Sequence, residues 1–162
     1  MSADRGTEVR RAQAGDLPAL GRLGAQVLHA HYAFDRDRFM APGRDPERGY
    51  ARFLEGELRE PDVIVLVAER DGIVVGYVYA GLEPRSWQEL REAAGFIHDI
   101  VVDEGSRRHG VASALVEAAV AWLRERGAPR VMLWTAEKNE GAQRLFAKLG
   151  FRRTMVEMTR EL

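Results

Sequence analysis

The stretch Ile97-His98-Asp99-Ile100-Val101-Val102, a short connection, and then Arg107-Arg108-His109-Gly110-Val111-Ala112 join an apolar strand pattern to a glycine-containing turn that opens a helix. Such a turn aims several unpaired backbone N–H groups at one point, and the helix dipole adds positive potential there. The ligand that matches is an anion, a phosphate or pyrophosphate above all. Small residues at Gly110 and Ala112 keep the backbone accessible, and Arg107 and Arg108 supply formal charge beside it. The same string also describes an ordinary strand-to-helix turn. It contains neither G-x-G-x-x-G nor the G-K-[ST] of a P-loop, so it is not one of those nucleotide fingerprints.

Other chemistries find less support. With no cysteine, disulfides, thiolate metal sites and thiol nucleophiles are excluded together. His29 and His31 stand about 200° apart around a predicted helix, so they do not share a metal ion, and no metal is expected. There is no G-x-S-x-G and no evident Ser-His-Asp set. Trp122 falls at helical spacing and reads as core. Arg10, Arg11, Arg152 and Arg153 read as scattered charges.

These residues must be carried by a single domain. The 162-residue chain is 46% hydrophobic, enough for one core without a staple. Its formal charge of −1 argues against nucleic acid, which a net basic surface would bind through counterion release. The central apolar run, Val63 to Ala68, is far shorter than the roughly 20 residues of a membrane span. Met1 to Gln13 carries five charges and no apolar core, unlike a secretory signal. The expectation is a soluble, cytoplasmic protein that binds neither nucleic acid nor membrane.

Along the chain, Thr7 to Ala12 alternates like an edge strand. Leu17, Leu20, Gly24, Val27, Leu28 and His31 recur at helical spacing. Asp45-Pro46 caps a second helix, whose stripe is Tyr50, Phe53, Leu54, Glu57 and Leu58. Val63 to Glu69 and Ile73 to Gly81 are β-branched strands about an Asp71-Gly72 hairpin. Trp87 to Ala94 suggests a helical turn, and Phe96 to Asp103 a strand. A helical stripe from Val111 to Leu123 ends at Gly127 and Pro129. Val131 to Ala136 reads as a strand, and Asn139 caps a helix ending at Gly150. A last strand is predicted from Arg152 to Met158. The order β-α-α-β-β-β-α-β-α-β describes one α/β domain over residues 1–162, a mixed sheet with helices on both faces. An edge strand near either terminus is suited to pairing in a homodimer.

Asn139-x-x-Ala142-x-x-Leu145-Phe146-x-Lys148-x-Gly150-Phe151, one strand after the glycine turn, resembles the closing motif of the GNAT superfamily of acyl-CoA N-acyltransferases. Arg107, Gly110 and Ala112 match that family's [Q/R]-x-x-G-x-[G/A] signature, and Ile100 and Val102 its preceding strand. The resemblance covers roughly Val63 to Met158 and implies a GNAT fold with about six or seven strands.

It further implies acetyl-CoA as cosubstrate. Backbone amides of Arg108, His109, Gly110, Val111, Ala112 and Ser113, flanked by Arg107, would hold the pyrophosphate. The main chain of Ile100, Val101 and Val102 would pair with the pantetheine arm like an added strand, and an N–H near Ile100 would face the thioester carbonyl. Asn139 matches an Asn that contacts cofactor or water, and Phe146 belongs to the same implied site. Arg144 and Lys148 lie near the groove or on plain helix surface. The implied reaction moves an acetyl group to an amine, which must first lose a proton. His98, of a residue type able to accept a proton near neutrality, sits where many members carry Glu and some arylalkylamine acetyltransferases carry His. Asp99 is expected on the opposite sheet face, positioning substrate or pairing with an Arg.

Phe146 is a departure. Members commonly have Tyr there as the proposed acid for the CoA thiolate; here a water, Tyr77, Tyr79, or release of the thiolate itself would replace it. The acceptor site would draw on His29, His31, Tyr32, Asp35, Asp37, Glu83, Trp87 and Glu89, an acidic and aromatic set suited to a cationic small-molecule amine. Trp87 equally fits structural filling. A protein N-terminus or lysine is the alternative acceptor, and a non-catalytic acyl-CoA sensor the alternative function.

Overall fold

The computed structural model describes residues 6–162; the charged start Met1 to Arg5 lies outside the described residues. Val63–Arg70 (β2) and Ile73–Glu83 (β3) are rich in Val and Ile, whose stiff side chains suit a pleated surface. Asp71 and Gly72, at φ of 51° and 77°, turn between them in the left-handed conformation a two-residue hairpin needs. Glu8–Arg11 (β1) pairs antiparallel with β2, and Ala94–Val102 (β4) antiparallel with β3. Val131–Leu133 (β5) joins β4 in parallel, giving the order β1-β2-β3-β4-β5.

Two helix layers sandwich this sheet. Leu17–Phe34 (α1) and Pro46–Glu57 (α2) lay Leu20, Leu23 and Leu54 on Val65, Val67 and Tyr77 of one face. Val111–Glu125 (α3) lays Leu115, Val116, Ala119 and Leu123 on Ile64, Val78, Ala80 and Ile97 of the other, and Glu140–Lys148 (α4) adds Phe146 there. Each of the large side chains among these removes its apolar area from water, worth about 1.5–3 kcal/mol for a Val, Leu, Ile or Phe. Gly24 sets the α1–α2 approach: a Cβ there would fall 2.0 Å from the Tyr50 ring. Arg10 is not a scattered charge. It donates to Asp16 (2.8 and 2.9 Å) and Glu69 (3.0 and 2.8 Å), fastening β1 to the turn before α1 and to β2.

Two expected elements differ. The sheet of the described residues has five strands, short of six or seven. Residues 152–158 form no strand, because a strand pattern becomes a strand only where a second backbone is in reach. The stretch 87–94 is not a helical turn. Ser86 and Arg91 exchange backbone hydrogen bonds (3.0 and 3.1 Å) across a tight loop with Leu90 at φ 53°.

Candidate functional site

β4 and β5 pair only through Gly95–Val131, Phe96–Met132 and Ile97–Leu133. β5 then stops while β4 continues to Val102, so from Asp99 onward β4 is paired to β3 but not to β5. One edge of a central strand is thereby left without a strand partner, its Val102 carbonyl taken by Arg107, a slot shaped for an extended ligand. Gly76 permits the tight pairing on the other side, since a Cβ there would lie 2.7 Å from the Val101 carbonyl oxygen.

The slot leads to the glycine turn. After a single 3₁₀ turn at Glu104–Ser106, Arg108 (φ 66°) and Gly110 (φ 75°) are both left-handed, and Gly110 is the N-cap of α3. Alternating backbone hands of this kind gather N–H groups into an anion-binding concavity. Residues 107–110 are exposed, and a Cβ at Gly110 would meet nothing within 4 Å. Arg107 Nε donates to the Val102 carbonyl (3.1 Å), tying the turn to the strand. Beside it opens a cleft of about 700 Å³ lined by Gln26, His29 and residues 103–107. Arg22 (2.8 and 2.9 Å) and Gln26 (2.8 Å) of α1 both donate to Asp103. Burial opposes ionisation of Asp103, but those donors outweigh it and hold its pKa below the usual carboxylate range.

At the point where β5 departs, β4 is irregular. Tyr79 pairs with Asp99 and Ala80 with Ile97, so His98 is an extra residue in a bulge. The bulge cancels one step of side-chain alternation. His98 and Asp99 therefore both face the α1–α2 layer, contrary to the expectation that they point to opposite faces. The His98 ring lies 4.8 Å from that of Tyr79 and stacks on Phe96 at 5.8 Å, and its Nε2 is 3.1 Å from Glu83 Oε1. Its side chain keeps 29% exposure, so it remains reachable.

Asp99 is enclosed. Tyr50 donates to its Oδ2, and Tyr77 donates to the same oxygen at 3.3 Å. Burial pushes the Asp99 pKa up, partly offset by the two phenols and by the nearby imidazoles of His31 and His98. Burial, with Asp99 next, likewise raises the pKa of Tyr50 and Tyr77. Tyr79 donates to Glu57 of α2 (2.8 Å), and burial followed by that carboxylate raises its pKa. A carboxylate behind a reachable imidazole, ringed by phenols, favours a cation at the mouth of this cluster.

Residues 28–151 match the Acetyltransferase (GNAT) family. The chain belongs to the GNAT family. An uncharacterized N-acetyltransferase of Archaeoglobus fulgidus is 31% identical over 150 residues, covering 90% of this chain and 93% of that one. The mycothiol acetyltransferase of Cellulomonas flavigena is 34% identical over 134 residues, 78% of this chain and 38% of its own length. The chain spans 29% to 38% of the length of that protein and several other curated relatives it matches. The aminoglycoside N-acetyltransferase AAC(6')-Iy, solved in complex with CoA, shares the fold at TM-score 0.76 and 20% identity, with 99% of this chain and 98% of that one covered.

Within this GNAT domain, the expected residues separate into groups. His98 and Asp99 converge on one cluster; the His31 ring packs against Phe34 and Phe39, with its Nδ1 2.9 Å from the Val27 carbonyl oxygen one turn back. Ile100, Val101 and Val102 form the free strand edge, and 107–113 the turn and first helical residues. Asn139 caps α4 by accepting from the Ala142 N–H (3.2 Å). Phe146 is 6% exposed, its ring 5.7 Å from Phe151 within the α3-side core. Tyr77 is fully buried, and both Tyr77 and Tyr79 are committed to carboxylates on the α1–α2 side. Tyr32 carries Arg36 over its ring, and Trp87 stands 78% exposed beneath Arg85. Arg144 is surface, 3.5 Å from Glu140. Among the described residues no group of three or more His, Cys, Asp or Glu side chains could hold a metal ion, and no helix is long and apolar enough to cross a membrane.

Sequence reasoning missed Tyr50, Glu57 and Asp103 as site residues. Tyr50 and Glu57 read only as members of the α2 stripe. The available signal was Gly24, whose missing side chain on a helix face implies a large group opposite.

Proposed function

We propose that this GNAT domain transfers an acetyl group from acetyl-CoA to a primary amine of a small molecule. The observation that carries the reading is the unpaired edge of β4 from His98 to Val102 running into the left-handed turn at Arg108–Gly110. An extended amide-bearing arm fits the first part and a pyrophosphate the second. The open space over Gly110 leaves room for it. The residues that would hold acetyl-CoA are the main chain of Ile100, Val101 and Val102, the amides of 108–113, Arg107 and Asn139, with Phe146 in the core beneath them.

In the reaction, the amine nitrogen bonds to the acetyl carbon, the C–S bond breaks, and CoA leaves as thiolate. His98 accepts one proton from the substrate ammonium before the neutral amine attacks, and the second proton, lost as the amide forms, passes through solvent to the departing thiolate. Glu83, 3.1 Å from Nε2, favours the tautomer protonated there and leaves the Nδ1 lone pair free. A backbone N–H near Ile100 faces the carbonyl oxygen as its negative charge develops, where a fixed donor is most effective. Asp99 and the phenols of Tyr50 and Tyr79 attract and orient the ammonium before it loses its proton. Relatives named for mycothiol and aminoglycoside acetylation support a small, polar acceptor.

Thermal unfolding with acetyl-CoA, CoA and NADH added separately tests this reading. A ligand at a hundred times its Kd adds about 2.7 kcal/mol, a rise of roughly 5 to 10 °C in a domain of this size. Acetyl-CoA and CoA are expected to produce the shift and NADH none, and amines are expected to accelerate thiol release. No shift with either thioester or thiol would overturn the cofactor site. A shift with no amine-dependent thiol release would leave a sensor in place of an enzyme.

A further inference from the structure

The register of β4 and β5 puts a second ring opposite the imidazole. Their pairing ends at Ile97–Leu133, so the next residue of each chain segment, His98 and Trp134, stands on either bank of the slot where it opens. Ile97, Val131 and Leu133 pack into the α3-side core, and a Cβ at Gly95 would meet Leu123 of α3. The alternate residues Phe96, His98 and Trp134 therefore share the opposite face. Ring contacts agree: Phe96 stacks on His98 at 5.8 Å and meets Trp134 edge to face at 6.0 Å.

The three rings differ in what covers them. Phe96 is 5% exposed, with the Arg91 guanidinium over its ring at 4.9 Å. His98 leans on Tyr79 and meets Glu83. Trp134 is 76% exposed and belongs to neither core cluster. Among the described residues its indole makes one ring contact, with Phe96, and no side-chain hydrogen bond. A broad aromatic face is thus held at the level of the base, on the far bank of the slot, with no role in the fold's own packing.

We propose that Trp134 is a specificity-determining residue, its indole receiving the face of a ring that the acceptor carries next to its amine while the nitrogen reaches toward His98. The inference rests on the acetyl transfer proposed above. A ring, aromatic or a saturated sugar, offers a flat carbon face that covers the indole and takes that area out of water. An open alkyl chain covers less of it and loses more rotational freedom when held. Selection by Trp134 therefore acts on binding of the acceptor, leaving the chemical step at His98 unchanged.

The test compares benzylamine, glucosamine and n-hexylamine as acceptors for the unaltered protein, Trp134→Ala and Trp134→Phe. At least one ring-bearing amine is expected to exceed n-hexylamine in kcat/KM, and which one does so tells an aromatic from a sugar acceptor. Trp134→Ala is expected to raise KM for that amine about 10-fold with kcat nearly unchanged, Trp134→Phe to restore most of the loss, and n-hexylamine to change less than about 2-fold. A second readout needs no turnover: with CoA bound, the preferred ring amine is expected to change indole fluorescence saturably, and Trp134→Ala to abolish the change. Cooperative unfolding of Trp134→Ala at a Tm near that of the unaltered protein verifies that the exposed ring is not structural. Equal losses for all three amines, a loss carried by kcat, Trp134→Phe no better than Trp134→Ala, or no response to either ring amine in both assays would each overturn the proposal. A saturable fluorescence change without thiol release would uphold Trp134 as the ring platform and remove acetyl transfer; thiol release without preference among the amines would do the reverse.

Discussion

His98 Nε2 lies 3.1 Å from Glu83 Oε1, which couples the bulge residue of β4 to the last residue of β3. The contact exists because His98 is the unpaired residue of the bulge and leans over Tyr79 toward the end of its neighbour strand. A reachable imidazole backed by a carboxylate is an arrangement for accepting a proton in a fixed direction.

Replacing His98 with alanine is therefore expected to lower kcat by roughly 10² to 10⁴-fold while leaving acetyl-CoA affinity nearly unchanged. Steady-state thiol release together with equilibrium binding measures both. Activity like that of the unaltered protein would remove His98 from the proton path.

Glu83 acts through His98, so its variants should grade. Glu83→Ala is expected to lower kcat about 10-fold, and Glu83→Gln less, because the amide oxygen still accepts from Nε2–H. An equal loss in both variants, or a change in KM alone, would assign Glu83 to substrate binding instead.

Gly110→Val places a β-branched residue at φ 75°, a conformation that costs an L-residue roughly 1–2 kcal/mol and more when branched. It also fills the space above the turn. Acetyl-CoA affinity is expected to fall at least ~10-fold, with a modest drop in Tm. Calorimetric titration decides: normal affinity would move the pyrophosphate away from this turn.

Burial raises the Asp99 pKa above that of the unfolded chain, so the folded protein keeps this proton to higher pH. The stability linked to Asp99 is full below the unfolded value, about 4, and is lost as pH rises through the raised folded value. Asn carries no such penalty. Asp99→Asn is expected to gain on the unaltered protein as pH rises, reaching about 1 kcal/mol or 2–4 °C at neutral pH. Melting curves offset equally at every pH would contradict it.

Asp103 has the opposite sign. Its lowered pKa contributes stability that is full above the unfolded value and is lost as pH falls through the folded one. Asp103→Asn is expected to cost about 1 kcal/mol at pH 7, with the deficit closing in acid. A deficit that persists below the folded value would point to packing instead of charge.

The sequence by itself determined the parts governed by local rules. Hydrophobic period placed every helix and strands β1 to β5 within a few residues, Asp71-Gly72 placed the hairpin, Asn139 the cap of α4, and Gly110 the turn, because each depends on a few neighbouring residues. The family followed from two motifs in the right order. What the tertiary structure decided are relations between distant segments. Alternation predicted opposite faces for His98 and Asp99, but the bulge that puts them on one face arises from the register between β3 and β4, which no single strand records. Tyr50 reaches Asp99 only because Gly24 of another helix makes room for its ring. Residues 152–158 have the pattern of a strand and form none among the described residues, since a strand's hydrogen bonds are satisfied by a second backbone and not by its own sequence.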